Sequence, residues 1–283
     1  MTTFSAVPRR LAAPAALAAC AGLLTACGGR DTAAPAPSTA AAPDSAAPAA
    51  GPASYAAAVV QSYPHDPGAF TEGLFIRDGV LYESTGIEGK SGIRAVDLKT
   101  GAVQRQRPLD AKYFGEGIAA VGGTLYQLTW KSGKAFTYDL ATFAPRPQTF
   151  TYTGEGWGLT TDGTSLIMSD GTARLRFLDP KTFAVTRTVD VHDGPSPVSQ
   201  LNELEWVKGE VYANVWQSNQ LVRVDPATGN VTGWVDASGV LGSADRTGRE
   251  DVLNGVAYDA AADKLYLTGK YYARLYEVRL DKR

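Results

Sequence analysis

The stretch Phe114-Gly115-Glu116-Gly117-Ile118, followed by the turn Gly122-Gly123, the run Thr124-Leu125-Tyr126 and the segment Phe136-Thr137-Tyr138-Asp139, sets short alternating runs between glycine turns. Its centre, Glu116-Gly117-Ile118, recurs as Glu72-Gly73-Leu74, Trp157-Gly158-Leu159, Asn202-Glu203-Leu204 and Asn254-Gly255-Val256, at intervals of 44, 41, 45 and 52 residues. Each copy leads into a turn (Asp78-Gly79, Gly122-Gly123, Asp162-Gly163, Lys208-Gly209, Ala262-Asp263) and a second run such as Val80-Leu81-Tyr82. Third runs close on Asp97, Asp139, Asp179 and Asp225, and the fifth copy reads Leu275-Tyr276-Glu277-Val278. Fourth runs centre on Val103, Phe150, Val185 and Val231, and Val59-Val60-Gln61-Ser62-Tyr63 reads as the fourth strand that copy five lacks. Period-two alternation with frequent Gly and Asp-Gly turns predicts an all-β chain.

A repeat that closes on itself predicts a five-bladed β-propeller in which the N- and C-terminal strands pair in one blade, so that no sheet edge is left open. An irregular β-sandwich has no such period. Of the 283 residues, those from 55 to 283 carry all five Trp, all thirteen Tyr and eight of the nine Phe. Five blades over these 229 residues gives about 46 each, within the roughly 40–50 of such repeats. Formal charge is −2 overall and near −4 without Arg9 and Arg10, with no basic run, which argues against nucleic acid as a partner.

The N-terminal segment reads as an address. Arg9 and Arg10 precede an apolar run from Leu11 to Ala26 that is short for a membrane span. Leu24-Thr25-Ala26-Cys27 resembles a bacterial lipobox, with Leu17-Ala18-Ala19-Cys20 as an alternative. Residues 1–27 are therefore expected to be a lipoprotein-type signal peptide with Cys27 lipidated, and residues 28–54 a disordered Ala/Pro tether. Export to the cell envelope, on the periplasmic side, would leave the lipid as the sole membrane contact. Both Cys lie in this segment, so residues 55–283 have neither a disulfide nor a thiol nucleophile.

Propeller geometry places the loops into first strands and the exits of second strands on one face. There stand Glu72, Glu116, Trp157, Asn202 and Asn254, with Phe70 and Phe114 from the entering loops and Trp130, Trp216 and Lys270 from second-strand exits. Two carboxylates, two amides, a lysine and a wall of aromatics form the composition of a ligand pocket. The four Asp at third-strand ends are turn residues. His65 and His192 are expected to hydrogen bond rather than bind metal. There is no Cys/His cluster with metal spacing, Gly-x-Ser-x-Gly elbow, phosphate loop or dinucleotide fingerprint. No cofactor or metal is expected.

At these residues the sequence resembles the plant-type glutaminyl-peptide cyclotransferases and their bacterial relatives. The resemblance spans about residues 62–278 and runs through His65-Asp66-Pro67, Phe70-Thr71-Glu72-Gly73-Leu74, Phe114-Gly115-Glu116-Gly117, Leu128-Thr129-Trp130-Lys131, Gly156-Trp157-Gly158-Leu159, Leu201-Asn202-Glu203-Leu204-Glu205, Asn214-Val215-Trp216, Leu253-Asn254-Gly255 and Thr268-Gly269-Lys270. It implies a metal-independent enzyme that converts N-terminal Gln of peptides to pyroglutamate with release of ammonia, and it places the essential acid/base at Glu116. Many plant members have Gln where this chain has Glu72, so a second carboxylate is expected beside Glu116, raising the pKa of one of the pair. On this reading Glu116 takes the amine proton and returns it to the departing ammonia. Lys270 and Asn202 stabilise the oxyanion, and Glu72 shares the proton or binds the amine. Phe70, Phe114, Trp130, Trp157, Trp216 and Asn254 hold the substrate, and the protein acts as a monomer. The competing reading is a non-catalytic propeller that binds a peptide or small ligand in the same cage.

Overall fold

The computed structural model describes residues 51–283; the expected signal peptide (1–27, with Cys20 and Cys27) and the expected tether up to residue 50 lie outside the described residues. Strand β1 runs over Ala53–Pro64. Four antiparallel strands follow, β2 (Thr71–Arg77), β3 (Val80–Thr85), β4 (Gly92–Asp97) and β5 (Val103–Pro108), and then β6 (Gly115–Val121), β7 (Thr124–Thr129), β8 (Lys134–Asp139) and β9 (Pro145–Thr151). The third group is β10 (Leu159–Thr161), β11 (Leu166–Met168), β12 (Arg174–Leu178) and β13 (Val185–Asp190). A short hairpin, β14 (His192–Asp193) and β15 (Ser196–Pro197), precedes β16 (Leu201–Val207), β17 (Glu210–Val215), β18 (Gln220–Val224) and β19 (Val231–Asp236). The last group is β20 (Leu253–Asp259), β21 (Lys264–Gly269) and β22 (Arg274–Lys282), and β1 lies antiparallel to β22 as its fourth strand. The all-β expectation holds: among the described residues the only helical element is one 3₁₀ turn, Ser243–Asp245.

β1 is longer than the expected Val59–Tyr63 and begins inside the stretch assigned to the tether. Ala53 to Ala56 also pair in parallel with Gly233 to Asp236 of β19. These backbone partners, which low apolar content does not reveal, order the chain two residues before the expected start at 55. Through β1 the fourth and fifth groups form one eight-stranded sheet.

Burial grades across every group. First strands such as β2 and β6 are buried almost throughout, whereas fourth strands such as β5 and β9 are mostly exposed. The first strands neighbour one another in the order β2, β6, β10, β16, β20 and back to β2. Five apolar clusters fill the junctions between successive groups. One joins Ile118 to Ile93, and the one between the last and first groups joins Leu74 and Leu81 to Ala257 and Tyr266. Tight turns do what their residues predict. Asp78 and Gly79 both take positive φ (52° and 75°), as a two-residue hairpin link with the strands' own twist requires. Asp97, Asp139, Asp179 and Asp225 each accept backbone N–H groups two or three residues on, which accounts for them as turn residues.

Candidate active site

The recurring motif forms the site because four of the five first strands slip register there, while β10 pairs with β11 in unbroken register. The slip falls between Thr71 and Gly73, Gly115 and Ile118, Leu201 and Leu204, and Leu253 and Val256, a bulge that re-aims the intervening side chain. The motif glycine follows from the crowding of first strands. A Cβ on Gly73 would lie 2.6 Å from the Ile118 backbone nitrogen, and one on Gly117 2.6 Å from the Trp157 oxygen. Copy four alone has a side chain in that place. Glu203, fully buried, accepts N–H bonds from Leu74 (3.1 Å) and Val256 (2.7 Å), tying β16 to β2 and β20 below the bulges.

Above this point opens a cavity of about 420 Å³ lined by Phe70, Glu72, Phe114, Glu116, Trp130, Trp157, Asn202, Trp216 and Lys270, together with Gln217, Asp251 and Val252. Of the ten binding and catalytic residues expected from sequence, nine line it. The tenth, Asn254, stands behind the wall: fully buried, its Nδ2 donates to Glu72 Oε2 (3.2 Å) and to the Thr71 carbonyl (2.9 Å). The bulge at Asn254 turns its amide toward the neighbouring strand, so it orients Glu72 instead of touching the cavity. Gln217, Asp251 and Val252 were missed. Val252 stands two residues before its motif residue, as Phe70 and Phe114 do before theirs, so the repeat register could have found it; Asp251 lies in a loop outside the repeat.

The aromatic wall is a chain of contacts. Tyr271 meets Phe70 at 5.2 Å between ring centres, Phe70 meets Phe114 edge-on at 6.1 Å, and Phe114 meets Trp130 at 5.5 Å. On the other side Trp157 meets Trp216 edge-on at 5.6 Å. Gly86 occupies the second-strand exit that Trp130, Trp216 and Lys270 fill in other copies. A Cβ there would fall 2.6 Å from Phe114 Cζ, closer still to Cε1, and 3.0 Å from Glu72 Cγ, so the missing side chain makes room for both.

The polar floor is two carboxyls and a lysine. Lys270 Nζ donates to Glu72 Oε1 at 2.7 Å and lies 4.4 Å from the centre of the Phe70 ring. Burial raises the Glu72 carboxyl to about 7, against the opposing pull of Lys270. Burial, and then the charge of the adjacent Glu72, push Glu116 well above the usual carboxylate range. The expectation that the pair raises one pKa thus holds, with burial the larger cause. Asn202 keeps its Oδ1 buried and without a partner, which leaves its Nδ2 as the group offered to the cavity. His65 is buried behind the site, hydrogen bonded to the Tyr272 carbonyl (2.7 Å) and to Glu83 (3.1 Å). Among the described residues no group of three His, Cys, Asp or Glu side chains is placed to hold a metal ion.

These buried carboxyls set the pH dependence of stability. Glu72, Glu116 and Glu203 have raised pKa values, and burial pushes Glu205 up to about 8. A carboxyl whose folded pKa exceeds its unfolded one keeps its proton longer in the folded state, so stability falls as pH climbs from the unfolded value through the folded one. With about 1.4 kcal/mol per unit of pKa, Glu72 and Glu205 each weigh on the order of several kcal/mol over that window. His65 acts in the same direction: burial opposes its charge, Glu83 outweighs burial, and the raised pKa gives stability that is lost as pH rises. The turn aspartates, with lowered pKa values, lose stability only as pH falls below their ordinary range. Melting temperature is therefore expected to peak near pH ~5 and to decline steadily toward pH ~8; a profile rising over that interval would contradict the assignment of buried protons.

Comparison with known proteins places this geometry. A family model described as glutamine cyclotransferase matches residues 32–280. The chain is 42% identical over 227 residues to a glutaminyl-peptide cyclotransferase of Arabidopsis thaliana, covering 79% of this chain and 71% of that protein. It superposes on the crystal structure of Myxococcus xanthus glutaminyl cyclase with a TM-score of 0.75 and 39% identity, covering 82% of this chain and 99% of the other.

Proposed function

The chain belongs to the glutamine cyclotransferase family; from that premise we propose that it acts as a glutaminyl-peptide cyclotransferase whose aromatic-walled cavity closes N-terminal Gln of peptides to pyroglutamate by acid/base catalysis on Glu116, without a metal. The observation that carries this is Glu116 itself, 5% exposed, held beside the Glu72–Lys270 pair at the base of a cavity open to a peptide terminus.

The substrate supplies both reacting groups, so the protein needs no nucleophile. Folding the Gln side chain back on its α-amine is an intramolecular closure, for which fixed geometry contributes most of the rate. The rings of Phe70, Phe114, Trp130, Trp157 and Trp216 enforce that bend and exclude water. The amine nitrogen attacks the γ-carboxamide carbon and forms the lactam C–N bond. Lys270 and the Asn202 amide donate to the oxyanion. Glu116 takes a proton from the ring-forming nitrogen and gives one to the departing nitrogen, so it ends as it began and one ammonia leaves; burial and the neighbouring Glu72 raise its pKa, which suits it to both transfers. Glu72, anchored by Lys270 and Asn254, holds the substrate amine.

The same reading takes the five four-stranded groups as blades of one propeller closed by β1 on β22. It places the enzyme, as a monomer, on the periplasmic side of the envelope with Cys27 lipidated. Ammonia release from a Gln-initiated peptide, followed before and after exhaustive chelation, tests the chemistry. Equal rates are expected, and loss of activity restored by a metal would overturn metal independence.

A further inference from the structure

The chain of ring contacts is interrupted between Trp130 and Trp157, and Glu155 bridges the two indoles there. Glu155 precedes Trp157 by two residues, as Phe70 and Phe114 precede Glu72 and Glu116, so copy three carries a carboxylate where copies one and two carry a ring. Its Oε2 accepts from the indole Nε1 of Trp130 at 2.7 Å and from that of Trp157 at 2.9 Å. The supporting loop is fixed independently of the two indoles. Arg176 donates to the carbonyls of Thr153 (2.9 Å) and Glu155 (3.3 Å) and to Asp170 Oδ2 (2.7 Å), and the Gly156 N–H donates to the Trp130 carbonyl at 2.9 Å. On the outer side the Lys131 ammonium lies 3.8 Å from the centre of the Trp130 ring and 3.9 Å from Glu155 Oε1.

We propose that Glu155 is a positioning residue for the cyclisation reaction: one of its carboxylate oxygens holds the indoles of Trp130 and Trp157 together and so continues the cage across that interruption. Charge-assisted N–H···O⁻ bonds are the stronger kind, and two on one oxygen set the separation and tilt of two rings at once. Glu155 does not touch the reacting atoms; it acts on substrate through the indoles, and its charge also contributes to the raised pKa of Glu116, an effect that E155A and E155Q remove alike and so do not confuse in their comparison. The proposal rests on the cavity being the substrate cage, but the bridging itself does not depend on turnover.

Two variants and two readouts test it. E155A removes both acceptors; E155Q keeps one oxygen able to accept from both indoles. In the wild-type protein the Nε1–H NMR signals of Trp130 and Trp157 are expected to be protected from exchange, and E155A is expected to shift both together and expose them. With a Gln-initiated peptide, E155A is expected to raise KM on the order of tenfold with a smaller change in kcat, and E155Q to restore most of that loss. Indole signals that E155A leaves unmoved, or of which it moves only one, overturn the bridge even if the protein turns nothing over. An unchanged KM in E155A, or an E155Q as impaired as E155A, overturns the positioning role. If the wild type shows the indole response but no cyclisation, the bridge stands and the assigned reaction fails.

Discussion

Glu116→Gln is expected to lower kcat for cyclisation by about 10²–10⁴-fold, the usual contribution of a positioned acid/base, while the protein stays folded. Gln matches the shape of a protonated carboxyl, and burial favours the protonated form of Glu116. The substitution therefore removes the transferable proton without leaving a buried charge unpaired, and melting temperature should be unchanged or higher. KM should move little, because the aromatic walls remain. Ammonia release, together with thermal unfolding of the variant, measures both. Activity within about tenfold of wild type would move the proton transfer to another group.

Glu83→Ala should produce the largest loss of stability among single changes away from the cavity, on the order of 3–5 kcal/mol as for other buried ion pairs stripped of one partner. Glu83 is fully buried and joins three groups: Arg94 Nε at 2.7 Å, Thr71 Oγ1 at 2.6 Å and His65 Nε2 at 3.1 Å. Burial alone would raise its pKa, but Arg94 and His65 hold it down to about 2. Removing it leaves a guanidinium, an imidazole and a hydroxyl with desolvated groups to satisfy. In a domain of this size the loss corresponds to a fall in melting temperature of roughly 10 °C. Because Thr71 adjoins Glu72, activity should fall as well, and earlier in a temperature series than global unfolding. A melting temperature within about 2 °C of wild type would show that the network joining Glu83 to Thr71, His65 and Arg94 does not hold the fold together.

The repeat made the all-β architecture and the strand order legible, because a turn every few residues and a fixed motif position are local signals. The beginning of β1 was not legible: Ala53 and Ser54 are small residues at the end of an Ala/Pro-rich stretch, and their backbone partners Gly233 and Trp234 in β19 mark them as a strand. The cavity was legible through composition at equivalent positions of the repeat, which bring Phe70, Phe114, Trp130 and Trp216 to one face. Orientation was not. Asn254 occupies the same motif place as Asn202, yet one amide turns behind Glu72 and the other lines the cavity, a difference set by neighbouring strands. Glu203 was visible as the one motif copy without glycine, but its reach to the backbones of two other strands depends on long-range packing. Glu155 offered a signal too, since it replaces a ring position, although its indole partners come from different strand groups.

The most direct measurement compares two peptides that differ only at the α-amine, one beginning with free Gln and the other with N-acetylated Gln, by mass spectrometry after incubation with the protein. The free peptide is expected to lose the mass of one ammonia and become resistant to aminopeptidase, while the acetylated peptide stays unchanged, because its nitrogen can no longer attack. Loss of ammonia from both, leaving Glu rather than pyroglutamate, or binding of the free peptide with no loss, would contradict cyclisation.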